Sequence, residues 1–146
     1  MSIMKIQIVI PGKPIAKARP RFFRKGNFVG AYKTSEQETE EGRFLIMAMK
    51  QLRVSGVSPV ESGIPLRLSC TFIMPIPKST SKKKSKQMIN GEIKHTKKPD
   101  LDNLIKFTKD CLNEVAWHDD SQVVEYGVMK KIYGYEPMTQ ILIEVV

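Results

Sequence analysis

Apolar residues alternate with polar ones in four segments of this chain, and this two-residue period restricts the fold more than any other feature. In the first segment, Ile6, Ile8 and Ile10 fall on one face and Lys5 and Gln7 on the other. The four segments are residues 3–10, 64–74, 122–133 and 139–145. Because successive side chains of a strand point to opposite sides, each segment is predicted to be a β-strand with one apolar face.

Two other segments repeat apolar residues every three or four positions, which is the period of an amphipathic helix. The first begins at Ser35, since residues 35–38 (SEQE) have the form of a capping box, and Gly56 is the expected stop. The second is expected from about Leu101 to Ala116. The order β-α-β-α-β-β predicts an α+β fold, in which a mixed sheet carries two helices on one face.

The length of 146 residues predicts a single domain over residues 1–146. Cys70 and Cys111 each lie in an apolar run without a CxxC pair, so buried, reduced thiols are expected. The N-terminus is too short and too polar for a signal peptide, and no apolar run approaches 18 residues. A cytoplasmic protein without a membrane partner is therefore expected.

The charge balance is strongly basic, with 24 Lys and Arg against 15 Asp and Glu and a net charge of +9. Such a charge favours a polyanionic partner, above all nucleic acid, although a merely solubilising surface charge would give the same count. Residues 11–34 hold seven of these cations and no acidic residue, interleaved with Phe22, Phe23, Phe28 and Tyr32. They are expected to form an extended arm or an irregular hairpin. Phe22 and Phe23 could stack on splayed bases, or at least one of them could pack in the core.

A second basic segment covers residues 78–98 and carries eight lysines against one acidic residue, Glu92. It is long for a connection in a compact domain, and its lysines repel each other. A mobile, Lys-rich loop is therefore expected here.

Four carboxylates interrupt the basic pattern: Asp100, Asp102, Asp119 and Asp120. In an extended segment that enters a helix, residues 100 and 102 point the same way, and two carboxylates there can share a hard cation such as Mg²⁺. Alternatively, one of the two is simply the N-cap of the helix.

The neighbours of these acids leave similar alternatives open. Lys106 lies one helical turn beyond Asp102, either as a surface ion pair or as a cation that stabilises charge on a phosphate. Asp119 and Asp120 follow the only tryptophan, Trp117, where adjacent acids in a turn are common. His118 could be a base or a ligand, but an isolated histidine in a turn is more often neither.

These residues resemble the RusA family of Holliday-junction resolvases. The resemblance is carried by residues 100–106 (DLDNLIK) and 119–123 (DDSQV), together with residues 11–14 (PGKP) and 17–21 (KARPR). It implies a small homodimeric endonuclease of prokaryotic or phage origin that acts in DNA recombination and repair. Such enzymes cut four-way DNA junctions by paired nicks and depend on Mg²⁺, for which Mn²⁺ can substitute. Two features depart from the family pattern: His118 replaces an expected apolar residue, and residues 78–98 are longer than in the shortest members.

Carried over by position, the resemblance implies that Asp100, Asp102 and Asp120 are the catalytic, metal-binding acids. It makes Lys106 the catalytic-site lysine and Asp119 a further candidate ligand. The implied reaction is attack of a metal-activated water on the scissile phosphate, leaving a 5′-phosphate. The cations expected to hold the DNA backbone are Lys13, Lys17, Arg19, Arg21, Arg24, Lys97 and Lys98.

The helix length raises a geometric question about this site. A helix from Asn103 to Ala116 would place its ends about 20 Å apart, so Asp120 would start far from Asp102. Either the helix stops early and residues 113–119 double back, which we expect, or Asp120 of a partner subunit completes the site. Two other functions remain open: another metal-dependent nuclease for flaps or branched RNA, and a non-catalytic basic protein that binds nucleic acid.

Overall fold

The structure is a computed structural model, and it describes residues 4–18, 21–32, 34–56 and 59–146. In chain order its strands and helices are β1 (Lys5–Pro11), β2 (Arg21–Lys25), β3 (Phe28–Tyr32), α1 (Ser35–Ser55), β4 (Leu66–Pro75), α2 (Lys82–Ile89), α3 (Leu101–Leu112), β5 (Val123–Gly134) and β6 (Met138–Val145). A single 3₁₀ turn, Asp120–Gln122, precedes β5. None of the helices in these ranges combines the length and apolar character needed to cross a membrane.

Four strands form a mixed sheet in the order β1-β6-β4-β5. The β4–β5 pair is parallel, whereas β6 runs antiparallel to both β1 and β4. Strands β2 and β3 form a separate two-stranded hairpin. The α+β class is confirmed, and the basic segment between β1 and α1 contains a regular hairpin.

One face of the four-stranded sheet carries the core. Every second residue of β1 and of β4 is buried, as the alternation predicts. Helices α1 and α3 cover this face together, and the rings of Phe44 and Phe107 meet edge-on with centroids 5.6 Å apart. Gln51 of α1 also exchanges two hydrogen bonds with the backbone of Val9, at 2.8 and 2.7 Å, which fixes α1 to the β1 edge of the sheet.

The helix ends differ in part from the expectation. Thr34, rather than Ser35, caps α1 by accepting a hydrogen bond from the amide of Gln37, because a threonine hydroxyl serves this position as well as serine. Gly56 ends α1 in the left-handed conformation with φ of 71°, as predicted. The expected end of the second long helix at Ala116 is wrong. Helix α3 stops at Leu112, and Glu114 then adopts a positive φ of 66°.

Residues 78–98 are not a loop throughout, contrary to the expectation from their lysine content. Residues 82–89 form α2, whose N-cap Ser81 accepts from the amide of Lys84. Met88 and Ile93 pack against the core and anchor this segment to the sheet. Lysine has a good helix propensity, so a cap and a few apolar contacts are sufficient to fold the segment.

Candidate active site

Two of the four aspartates lie at the N-terminal end of α3. Asp100 is the N-cap, and its Oδ1 accepts a hydrogen bond of 3.0 Å from the amide of Asn103. Asp102 lies in the first turn with 75% of its side chain exposed. Its Oδ2 is 3.6 Å from Nζ of Lys106, whose side chain is also mostly exposed. An exposed i,i+4 pair contributes about 0.3–0.5 kcal/mol, so the fold depends little on Asp102.

The chain that leads into Asp100 is held by a residue that the sequence did not single out. Nζ of Lys131, in β5, donates to the carbonyl oxygens of Lys97 and Pro99 at 2.7 and 2.9 Å. These bonds fix the backbone on the N-terminal side of Asp100 to the sheet. Nothing in the sequence distinguishes Lys131 from its neighbour Lys130, because the contact joins residues more than thirty positions apart.

A positive field surrounds this end of α3. The pKa of His95 is lowered, first by burial and then by the charge of Lys131, with further contributions from Lys97 and Lys13. All three ammonium groups therefore act on one imidazole, whose ring lies 4.9 Å from that of Tyr133. A phosphate that approaches Asp100 and Asp102 would meet these cations.

The segment before the hairpin is tied to the same helix. The amide of Lys17 donates to the carbonyl of Asn103 at 3.0 Å, and the amide of Ala18 donates to Oε1 of Gln37 at 2.7 Å. Nζ of Lys17 is 2.9 Å from Asp110 and 4.0 Å from Glu41. The ammonium of Lys17 thus joins α3 to α1, and it is engaged within the chain.

Asp119 and Asp120 lie beyond the opposite end of α3. Oδ1 of Asp120 accepts a hydrogen bond of 2.9 Å from the indole of Trp117, which is fully buried and whose backbone bridges to Asn113. Asp119 caps the 3₁₀ turn, and hydrogen bonds from the side chain and backbone of Ser121 lower its pKa. His118, beside them, is exposed.

The buried side chain of Gln122 organises this turn. Its Oε1 accepts from the amides of His118 and Asp119 at 2.9 and 3.0 Å. Its Nε2 donates to the carbonyls of Glu61 and Ile64 at 2.8 and 3.1 Å. Sequence reasoning missed this residue, because its partners before α3 are about sixty positions away.

The two pairs of acids are far apart within one chain. Ten residues of helix separate Asp102 from Leu112, which is about 15 Å along the axis. The sheet also keeps the two ends apart, since Val123 and Lys131 of β5 pair with Leu66 and Phe72 of β4, which are about 20 Å apart along that strand. The helix does stop early, but residues 113–119 stay at its C-terminal end, so the expectation that they double back towards Asp102 is wrong.

The chemistry of these donors suits a hard divalent cation, because carboxylate oxygens are the ligands that Mg²⁺ prefers. However, no group of three or more His, Cys, Asp or Glu side chains lies close enough to hold a metal ion among the residues that the structure describes. One chain therefore offers Asp100 and Asp102 at one end of α3 and Asp120 at the other, without a complete ligand set at either.

The remaining candidate DNA contacts lie on the surface where they are described. The side chains of Lys13, Arg24, Lys97 and Lys98 are exposed. Nε of Arg24 donates to the carbonyl of Gly26 in the turn of the hairpin. Arg19 and the side chain of Arg21 lie outside the described residues.

Comparison with known proteins identifies the family. Residues 11–144 match the family described as Endodeoxyribonuclease RusA. The chain is also 32% identical over 140 residues, 94% of each protein, to the uncharacterized protein YqaN of Bacillus subtilis strain 168. The matched region contains both pairs of aspartates, Lys106 and the basic hairpin. The chain therefore belongs to the RusA family of Holliday-junction endodeoxyribonucleases.

Proposed function

We propose that this protein is a divalent-metal-dependent endonuclease that resolves Holliday junctions by paired, symmetric nicks. The observation that supports this most is the setting of Asp102. Its carboxylate is exposed beside Asp100 and Lys106, and the cap of α3 does not use it. An exposed carboxylate pair within a basic surface repels phosphate unless a cation lies between them, and the family is one of endodeoxyribonucleases.

The separation of the acids supports a homodimer in which each site takes residues from both chains. Strand β5 is an edge of the four-stranded sheet, and its first half exposes Val124, Tyr126 and Val128 by 61%, 47% and 54%. Two β5 strands that pair antiparallel about a two-fold axis would place the start of each next to the end of the other. Asp120, near the start of β5, would then approach Asp100 of the partner subunit.

In this arrangement Asp100 and Asp102 of one subunit, with Asp120 of the partner subunit, would hold Mg²⁺ or Mn²⁺, and Asp119 is a further candidate ligand. The bound cation would neutralise the scissile phosphate and lower the pKa of a water molecule. Lys106 would stabilise the charge that develops on the phosphate, and Lys13, Lys97 and Lys98 would hold the backbone without reading bases. A two-fold dimer would present two such sites to symmetric strands of the junction.

The direct test is cleavage of a synthetic four-way junction with Mg²⁺, beside a linear duplex of the same sequence. The variants are Asp102→Asn and, as a matched control, Glu38→Gln, which removes an exposed carboxylate of α1. We expect symmetric nicks in the junction only, lost in Asp102→Asn and kept in Glu38→Gln.

Two other results would overturn the proposal. Junction binding without cutting, equal in the wild type and Asp102→Asn, would make this a non-catalytic binding protein. Unsymmetric cutting of flaps in preference to junctions would make it a nuclease of another substrate class.

A further inference from the structure

The β2–β3 hairpin exposes more apolar surface than its own folding explains. Phe22, Phe28 and Val29 are exposed by 74%, 62% and 61%, and Phe23 by 44%. Both faces of the hairpin are exposed over residues 22–29. A two-stranded hairpin is marginally stable by itself, and rings left in water add little to its stability. The expectation that Phe22 or Phe23 packs in the core is therefore wrong, and several exposed apolar side chains on one short hairpin indicate a binding surface.

The rings are arranged on both sides of the hairpin. Phe23 and Phe28 lie with centroids 5.9 Å apart and planes tilted by 52°. A Cβ atom at Gly30 would lie 2.5 Å from Cζ of Phe23, so the absence of a side chain there lets the Phe23 ring lie across the opposite strand. Phe22 projects from the other face, because neighbouring residues of a strand alternate.

The charge of this segment indicates what covers the rings. Residues 11–35 contain seven Lys and Arg residues and no Asp or Glu. A second copy of this chain carries a net charge of +9, so it is a poor electrostatic match for the segment. Nucleic acid offers both a polyanionic backbone and flat apolar surfaces on its bases.

The hairpin also starts next to the candidate site. The amide of Lys17 is bonded to the carbonyl of Asn103, which directly follows Asp102. Two residues lie between Ala18 and Arg21, so these positions are at most about 11 Å apart. Strands of five residues then extend the hairpin by about 17 Å. The hairpin therefore starts close to the end of α3 that bears Asp100 and Asp102.

We propose that Phe22 and Phe28, whose rings are exposed by 74% and 62%, stack on DNA bases that lack a stacking neighbour at the branch point of a junction. Bases within a continuous duplex are already stacked on both sides, so the hairpin binds branched DNA in preference to linear DNA. This inference rests on the proposed function, and it assigns the recognition of the branch to the hairpin and the cutting to the acids.

The test uses binding without cleavage, with Ca²⁺ in place of Mg²⁺. The probes are a four-way junction with 2-aminopurine at the branch point and a linear duplex with 2-aminopurine at the same position in the sequence. The variants are Phe22→Ala, Phe28→Ala, Phe22→Trp and Phe22→Leu. Ile46→Ala is the matched control, because Ile46 of α1 is 71% exposed. All of these side chains are exposed, so folding should be unaffected.

We expect Phe22→Ala and Phe28→Ala each to raise the Kd for the junction about 5- to 150-fold and to leave the Kd for linear duplex unchanged. They should also reduce the change in 2-aminopurine fluorescence. Phe22→Trp should bind the junction as the wild type does, since it keeps an aromatic face. Phe22→Leu should bind as weakly as Phe22→Ala. Ile46→Ala should behave as the wild type.

Three results would contradict this inference. Unchanged junction affinity and fluorescence in the double variant Phe22→Ala/Phe28→Ala would show that the hairpin does not recognise the branch point. If the wild type still cuts the junction, the proposed function would stand. Full activity of Phe22→Leu, with loss of the dimer in Phe22→Ala by ultracentrifugation, would assign the rings to contact with a second copy. A wild type that neither binds nor cuts the junction would overturn both proposals.

Discussion

Replacement of Lys131 by methionine should impair cleavage more than it impairs stability. The substitution keeps most of the apolar stem and removes the ammonium that donates at 2.7 and 2.9 Å to the carbonyls of Lys97 and Pro99. Hydrogen bonds from charged donors contribute about 1.5–3 kcal/mol each, but this side chain is only half-buried and water replaces part of the loss. We therefore expect a decrease of about 2 kcal/mol in the free energy of unfolding, or a fall of about 1 M in the urea midpoint.

The effect on cleavage follows from the position of these bonds. They fix the backbone that leads to Asp100, and a misplacement of about 1 Å in a catalytic group can reduce a rate about 100-fold. We expect Lys131→Met to cut a four-way junction more than about ten-fold slower at a temperature where it is fully folded.

Lys130→Met is the control, because Lys130 is the exposed neighbour in β5 and lines the uncovered face of the sheet. It removes the same charge without this anchor, so it should keep its stability and most of its cleavage rate. Equal rates for the two variants would refute the view that Lys131 positions Asp100.

Three further predictions concern Gln122, His95 and Cys70. Gln122→Leu should lower the free energy of unfolding by about 3 kcal/mol in urea titrations, because it removes four hydrogen bonds to part-buried backbone groups. A loss below about 1 kcal/mol would contradict the role of Gln122. Burial and the charge of Lys131 lower the pKa of His95 from its ordinary value of 6.5. At a pH near and below 6.5 the unfolded state therefore binds more protons than the folded state. As the pH is lowered from about 7.5 to about 5.5, the urea midpoint of the wild type should therefore fall more than that of His95→Asn. Equal shifts of the urea midpoint in the two proteins would contradict this prediction. Burial raises the pKa of Cys70 to about 12, so its thiol should react slowly in the native protein. In a Cys111→Ala background, iodoacetamide should therefore label Cys70 only in urea. Rapid labelling of the native protein would show that the thiol is accessible.

Helix α3 and strand β4 show what the sequence could predict. Helix α3 buries residues at the spacing of three or four that predicted it: Leu104, Ile105, Thr108, Cys111 and Leu112. The alternation in β4 likewise matches its burial residue by residue. In both cases the period of the sequence is the period of the element, so local pattern and tertiary packing agree.

Strand β5 shows where this reasoning stops. Its alternation predicted a strand, but Val124, Tyr126 and Val128 are exposed. A two-residue period predicts that a strand has two different faces, but it does not predict whether another element covers the apolar face. The alternation itself is interrupted in the first half of β5, where the pairing with β4 has register shifts between Leu66 and Arg67 and between Leu68 and Cys70. These shifts are set by the partner strand and cannot be read from β5 alone.

The sequence selected candidate site residues but not their geometry. The pattern around residues 100–106 and 119–123 selected the acids and Lys106. The path between them depends on the burial of Trp117 and on bonds from Gln122 to Glu61 and Ile64, which no local pattern encodes. Helix α2 was missed for a related reason, since its lysine content outweighed the cap at Ser81 and the core contact of Met88.

Mixing two inactive variants tests the composite site most directly. Asp102→Asn and Asp120→Asn should each be inactive as a homodimer. After complete subunit exchange at equal concentrations, about half of the dimers would be mixed, and each would hold one intact site and one doubly altered site. About one quarter of all sites would then be intact.

A supercoiled plasmid with an extruded cruciform distinguishes the outcomes, because one nick gives an open circle and two paired nicks give a linear product. We predict that the mixture produces open circles at about one quarter of the wild-type nicking rate, with little linear product. No nicking after exchange has been confirmed by mass spectrometry would contradict a site shared between two chains.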